Sequence, residues 1–228
     1  MCIAKYIQSS IGRKQIVAVT GLCLVLFIIG HLVGNLFIYG GPDAYNWYAA
    51  KLMHLRPGLY IVEFGLALIF FIHIYFTSVL VAENVRARKV RYAVNQPVGK
   101  RSLATKLMPY TATYLLIFLI WHLLDFTFTD HSAQKYFLNG VDLGLYGVVY
   151  HAFVDPWHSF GYIVAMFCLG FHLAHGIQST VQTFGYNHPT FTPLIQNVSN
   201  AFGILIAFGY STIPILIMAH NGRYHLLG

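Results

Sequence analysis

The sequence predicts an all-α integral membrane protein: one domain over residues 1–228, five transmembrane helices, and the N-terminus on the cytoplasmic side. Three observations carry this. Residues are 57% hydrophobic and only 9% charged, whereas a soluble domain carries about 25% charged residues, so this chain has too little polar surface to stay in solution. Five apolar stretches reach the roughly 20 residues that a helix needs to cross a bilayer core. Finally, the cations are distributed unevenly between the linkers.

The spans fall at about 15–39, 58–84, 106–128, 157–182 and 199–220. Before the first lies MCIAKYIQSSIGRKQ, with no small-residue cleavage site after a short apolar region, so the first span reads as retained and not as a signal peptide. The first linker, GGPDAYNWYAAKLMHLRPG, carries Gly, Pro and Asp punctuation; the second, ENVRARKVRYAVNQPVGKRSLATK, is the most basic stretch. The third, TDHSAQKYFLNGVDLGLYGVVYHAFVDP, is long and aromatic enough to hold an interfacial helix. The fourth, TFGYNHPTFTPLIQN, is short and broken by proline.

Lys and Arg in short loops are retained on the cytoplasmic side. One side collects Lys5, Arg13, Lys14, Arg86, Arg88, Lys89, Arg91, Lys100, Arg101 and Lys106, the other Lys51, Arg56, Lys135 and Arg223. That asymmetry places the N-terminus inside and, after five spans, the C-terminus outside. Glu83 is the one acid on the inner side. Such a face serves topology and anionic lipid, and it also suits docking of a soluble partner. The net charge of +7 is thereby accounted for by topology, and no nucleic-acid partner is expected. Cys2, Cys23 and Cys168 form no CxxC pair, which argues against a c-type haem attachment, a thiolate zinc site and a disulfide framework.

Chemistry is concentrated in histidine. Of twelve, His54, His131, His151, His158, His188, His220 and His225 fall in loops or at span ends. His31, His73, His122, His172 and His175 lie well inside spans, where an ionisable side chain is costly and faces the bundle interior with a partner. An isolated case reads equally well as an interhelical hydrogen bond; a set over four consecutive spans does not. His31 comes 17 residues after Lys14 and His122 comes 16 after Lys106, about 25 and 24 Å along their outward-running helices. His73 and His175 lie on inward-running spans, nearer the inner face. The four sort into two levels roughly 10 Å apart by helical rise: His31 with His122 outside, His73 with His175 inside.

Two opposed imidazoles at one depth suit an iron porphyrin held by two axial nitrogens, whereas a zinc site needs four convergent ligands. The expectation is therefore two stacked b-type haems, each with both axial positions filled, an arrangement for electron transfer rather than oxygen chemistry. Gly30, Gly34 and Gly176 flank the ligands closely enough to admit a flat ring, with close helix packing as the other use of glycine there. His172 shares a helix face with His175; His175 is preferred because it lies deeper and precedes Gly176, leaving His172 for a propionate or a neighbouring helix.

With these residues in place, the chain resembles the five-span, di-haem cytochrome b membrane anchor of succinate dehydrogenases and fumarate reductases (succinate:quinone oxidoreductases). The resemblance rests on SSIGRKQIVAVTGLCLVLFIIGHLVGN in span one, FIHIYF in span two, IWHLLDF in span three and GFHLAHGIQSTVQTFG in span four. It implies His73 and His175 for the haem nearer the soluble subunits, and His31 and His122 for the distal one. It also implies a flavoprotein subunit with covalent FAD and an iron–sulfur subunit docked on the basic inner face, where the dicarboxylate chemistry would reside. Electrons would run through both haems to a quinone, menaquinone by this resemblance, bound near the outer haem. The expected location is the inner membrane of a prokaryotic cell. For proton handling at the quinone, Glu63 stands beside Arg56 and near His54 at the outer end of span two, and Asp125 lies one turn after His122; a surface pairing with Arg56 is the structural alternative for Glu63. Some relatives of this kind carry a glutamate two residues before the span-four ligand, where this chain has Leu173. Other readings are a di-haem cytochrome b of nitrate reductase or hydrogenase type, and a transporter whose histidines relay protons.

Overall fold

The computed structural model describes residues 3–87, 103–130, 137–138 and 141–220. Of the cations assigned above, Arg88, Lys89, Arg91, Lys100, Arg101, Lys135 and Arg223 lie outside the described residues, as do His131 and His225.

A short helix α1 (Ile3–Gln8) leads into α2 (Ser10–Leu36). Ser9 separates them with an extended backbone, and its hydroxyl accepts from the Gly12 N–H at 3.0 Å, satisfying one of the N–H groups that a helix start leaves unpaired. A 3₁₀ turn, Phe37–Gly40, passes the chain to α3 (Gly41–Met53). The Gly-Pro-Asp punctuation of the first linker is thus a helix start: Pro42 occupies the first turn, where its missing N–H costs nothing, and Asp43 follows it.

Helices α4 (Gly58–Arg86), α5 (Leu103–Phe126), α7 (Pro156–Thr183) and α8 (Thr192–His220) complete a set of five long apolar helices, α2 included, each able to cross a membrane. Between α5 and α7 lies a small antiparallel ribbon, β1 (Phe137–Leu138) with β2 (Val141–Asp142), then α6 (Gly144–Val154). Asp155 caps α7, accepting from the Trp157 N–H at 2.9 Å. Helix α8 begins at Thr192, seven residues before the apolar run that marks it in the sequence, because Pro193 fits a first helical turn.

The bundle is organised around α7. It packs on α8 most closely, then on α5 and α2, while α4 lies against α2. Two pairs stand apart among the described residues: α2 with α5, and α4 with α7, are not among the closely packed helices. Small residues set the tight contact. A Cβ at Gly170 would meet the Gly203 carbonyl oxygen at 2.8 Å and the Ala207 methyl at 3.0 Å, the close backbone approach by which membrane helices associate without a hydrophobic driving force. Helix α4 has no buried residue, and its apolar side chains face outward, as a lipid-facing helix requires.

The most buried apolar cluster sits at one end. Tyr146, Val149, Tyr150 and Phe153 of α6 pack with Ile38, Tyr45, Tyr162, Ile213 and Ile217. Asn46 of α3 ties this end together, donating to the Leu143 carbonyl at 2.9 Å and accepting from the Tyr146 N–H at 3.1 Å.

Candidate functional site

His31 sits in the second-last turn of α2, and the turns around it are held from two sides. The Tyr210 hydroxyl of α8 donates to the Ile28 carbonyl at 2.8 Å, and Asn35 donates to the His31 carbonyl at 2.8 Å while accepting from Tyr45 at 3.3 Å. These bonds fix the segment that presents the imidazole. Across the gap, His122 of α5 meets His31 edge to face, ring centroids 5.9 Å apart and planes at 83°. Phe27 stacks on His31 at 5.3 Å and Phe118 stacks on His122 at 5.8 Å. The two imidazoles therefore meet inside an aromatic sleeve, on helices that are not closely packed against each other. The His122 Nδ1 atom is buried and has no hydrogen-bond partner, an arrangement that carries a desolvation cost of about 1–3 kcal/mol and so calls for an explanation.

His73 of α4 forms the other level. Its Nδ1 lies 3.0 Å from the Thr20 hydroxyl on α2, and a Cβ at Gly21 would meet its Cε1 at 3.3 Å. Thr20 and His31 are eleven residues apart on one helix, so the levels are separated by about 16 Å along α2. On α7, His172 comes within electrostatic reach of His73 and of its own neighbour His175. Its Nδ1 is buried without a hydrogen-bond partner. The sequence favours His175 for this level; His172 also comes within reach of His73, and both side chains are half-buried, one turn apart on α7.

The glycines divide. Gly30 and Gly176 have no heavy atom within 4 Å of where a Cβ would stand, whereas the ring of Tyr48 covers Gly34 at 2.5–2.8 Å. Gly34 thus lets α3 pack onto α2. Among the described residues no three His, Cys, Asp or Glu side chains converge, so the donor sets on offer are imidazole pairs.

Of the acids, Glu63 accepts from Arg56 at 3.3 Å, both side chains substantially exposed, and Arg56 lies over the Tyr60 ring at 4.2 Å. His54 is exposed at the end of α3 and donates its backbone N–H to Ala50. Glu63 and Arg56 thus form a surface pair. Asp125 is placed differently: it accepts from the Tyr162 hydroxyl at 2.5 Å, and His158 Nε2 lies 3.1 Å from the same carboxylate oxygen. His158 and Tyr162 stack at 5.0 Å, and Tyr162 reaches His122 at 6.1 Å between ring centroids. Sequence reasoning assigned His158 to a span end and passed over Tyr162. Both stand on α7 one turn apart, a spacing that would have flagged them had Asp125 been known to face α7.

At the opposite end Arg13 pairs with Glu83 and donates to the Ile7 carbonyl at 3.3 Å. Lys14 and Lys106 are exposed.

No family model matches the chain, and no solved structure does. Among curated proteins it is 26% identical over 190 residues to the succinate dehydrogenase cytochrome b558 subunit of Bacillus subtilis (strain 168), covering 83% of this chain and 86% of that protein. A likeness spread over nearly the whole of both chains supports the family of membrane anchor subunits.

Proposed function

We propose that this chain is the membrane anchor and electron-transfer subunit of a succinate:quinone oxidoreductase, carrying electrons between an iron–sulfur subunit and a membrane quinone through two bis-histidine haems b. The observation that supports it most is the pairing of histidines at two depths, each pair carried by helices that stand apart while their neighbours pack tightly. The likeness to a cytochrome b558 subunit supports the same reading. The donor chemistry fits: buried imidazoles without hydrogen-bond partners at His122 and His172, aromatic walls at Phe27 and Phe118, and small residues beside the ligands.

In this reading His31 and His122 would hold the outer haem, and His73 would hold the inner one together with His172, which reaches toward it, in place of His175, the residue favoured by depth. A haem with both axial positions filled supplies reversible one-electron transfer. The helices keep each pair at fixed depth, and the apolar wall excludes water from the path. The dicarboxylate reaction belongs to a flavoprotein partner with FAD, and the iron–sulfur subunit docks on the cytoplasmic face, where Lys14 and Lys106 remain exposed and the acid Glu83 is neutralised by Arg13. The quinone, menaquinone by the resemblance, binds at the outer level.

Quinone reduction takes up two protons with two electrons. Asp125, hydrogen-bonded by Tyr162, 3.1 Å from His158 and one turn from His122, passes them in this reading; Glu63 is engaged with Arg56 at the surface. An absorption spectrum of the purified, dithionite-reduced protein tests the reading. A b-type alpha band with two haems per chain is expected, and a preparation of folded protein without a Soret band overturns it.

A further inference from the structure

Three groups on α2 converge on the His73 ring. The Thr20 hydroxyl lies 3.0 Å from Nδ1 and also 2.7 Å from the Ile16 carbonyl oxygen. The Val17 carbonyl oxygen, 3.1 Å from the Thr20 hydroxyl, faces the same imidazole. Gly21 lacks the Cβ that would press on Cε1 at 3.3 Å. A hydroxyl has one proton. With that proton directed to Ile16, the closer of its carbonyl neighbours, the oxygen lone pair faces Nδ1, and the imidazole must carry its hydrogen there. The other ring nitrogen, Nε2, then keeps its lone pair and is the one able to bind a metal.

The geometry points to Thr20 as the positioning residue for the inner haem: its hydroxyl accepts from His73 Nδ1–H, fixes the ring's tautomer and orientation, and tunes the potential of the iron bound at Nε2. This rests on the assignment of His73 as an axial ligand. The opposite ligands differ in kind, since the Nδ1 atoms of His122 and His172 have no such acceptor. Donation from the distal nitrogen increases a ligand's basicity, which stabilises the oxidised iron. The inner haem therefore owes part of its potential to a side chain on α2, a helix that supplies a ligand to the outer haem but none to the inner one.

The test uses the purified complex with Thr20→Val, nearly isosteric but without the hydroxyl, and Thr20→Ser, which keeps it. Haem content, the low-spin ferric EPR signals and a redox titration of both haems are measured. The Val17 carbonyl remains in both variants, so the change expected in Thr20→Val is modest. The inner haem's reduced-to-oxidised ratio at a fixed potential rises about threefold, its EPR signal moves, and the outer haem titrates as before. Thr20→Ser behaves as the parent. Loss of the inner haem in Thr20→Val with retention in Thr20→Ser also supports the proposal. Wild-type titration in Thr20→Val, or equal shifts in both variants, overturns it. If the parent complex binds no haem, the functional reading itself fails, an outcome visible before either variant is made.

Discussion

His172 and His175 stand one turn apart on α7, and residue type alone does not separate them. Position does. The buried face of α7 runs through Tyr162, Met166, Gly170, Leu173 and Ala174, and His172 borders it toward His73 while His175 is more open. Depth, the criterion legible in the sequence, favours His175; the buried, unpartnered Nδ1 of His172 and its reach toward His73 favour His172 as the proposed ligand. His172→Ala is therefore expected to lose the inner haem and keep the outer one, and His175→Ala to keep both; haem-to-protein ratio and redox titration read this directly, and the opposite pattern returns the ligand to His175. Asp125 gives the second prediction at this scale. Its carboxylate accepts from Tyr162 and lies 3.1 Å from His158, and a positioned acid or base contributes about 10²–10⁴-fold. Asp125→Asn should lower quinone reductase turnover by at least about 10²-fold, with succinate oxidation by a soluble artificial acceptor unchanged. Glu63→Gln, which breaks only an exposed pair worth about 0–1 kcal/mol, should stay within a few-fold of the parent. Equal losses in the two variants would remove the distinction between the acids.

At the scale of elements, the five long helices follow from hydropathy, and their observed bounds lie close to the sequence reading except at α8. The short helices were less legible. Helix α3 was read as a punctuated linker because its Gly-Pro-Asp start resembles a turn until the helix after it is seen. Helix α6 was expected at the interface, yet Tyr146, Val148 and Tyr150 are almost completely buried, since α3 and the ends of α5, α7 and α8 close over it. Asn46 joins α3 to the start of α6 through two bonds, neither of which leaves a trace in local sequence pattern. Asn46→Ala removes both bonds, at a cost of about 1–3 kcal/mol, while the Leu143 carbonyl keeps the Gly147 N–H. Thermal loss of the outer haem's absorbance should then occur at lower temperature, with the inner haem less affected. The contact between α7 and α8 constrains function in another way. The resemblance associates a transmembrane proton route with a carboxylate two residues before the span-four ligand. With His172 as ligand that place is Gly170, where even a Cβ would press on the Gly203 carbonyl at 2.8 Å; with His175 it is Leu173, buried in the core. Neither assignment leaves room for an acid in that position.

For the whole molecule, the proposed function makes the two histidine levels successive stations on one path, because α2 runs through both. It offers Thr20 and Gly21 to His73 near its start and His31 to His122 about 16 Å further on. In the proposed reading, charge asymmetry assigns the His73 level to the side of the soluble partner, the end that carries the exposed Lys14 and Lys106. The order of the path has a consequence that single-site binding does not. In the assembled complex, His122→Ala should leave one haem that succinate still reduces, while reduction of quinone is lost. His73→Ala should leave one haem that succinate no longer reduces, although dithionite does. The two variants have equal haem content, so a difference between them reports position along the path and not the amount of cofactor. Rapid-mixing spectra at the alpha band follow it. Were succinate to reduce the remaining haem in His73→Ala and not in His122→Ala, the input would lie at the His31–His122 level, and the charge-derived orientation of the whole chain would have to be inverted with it.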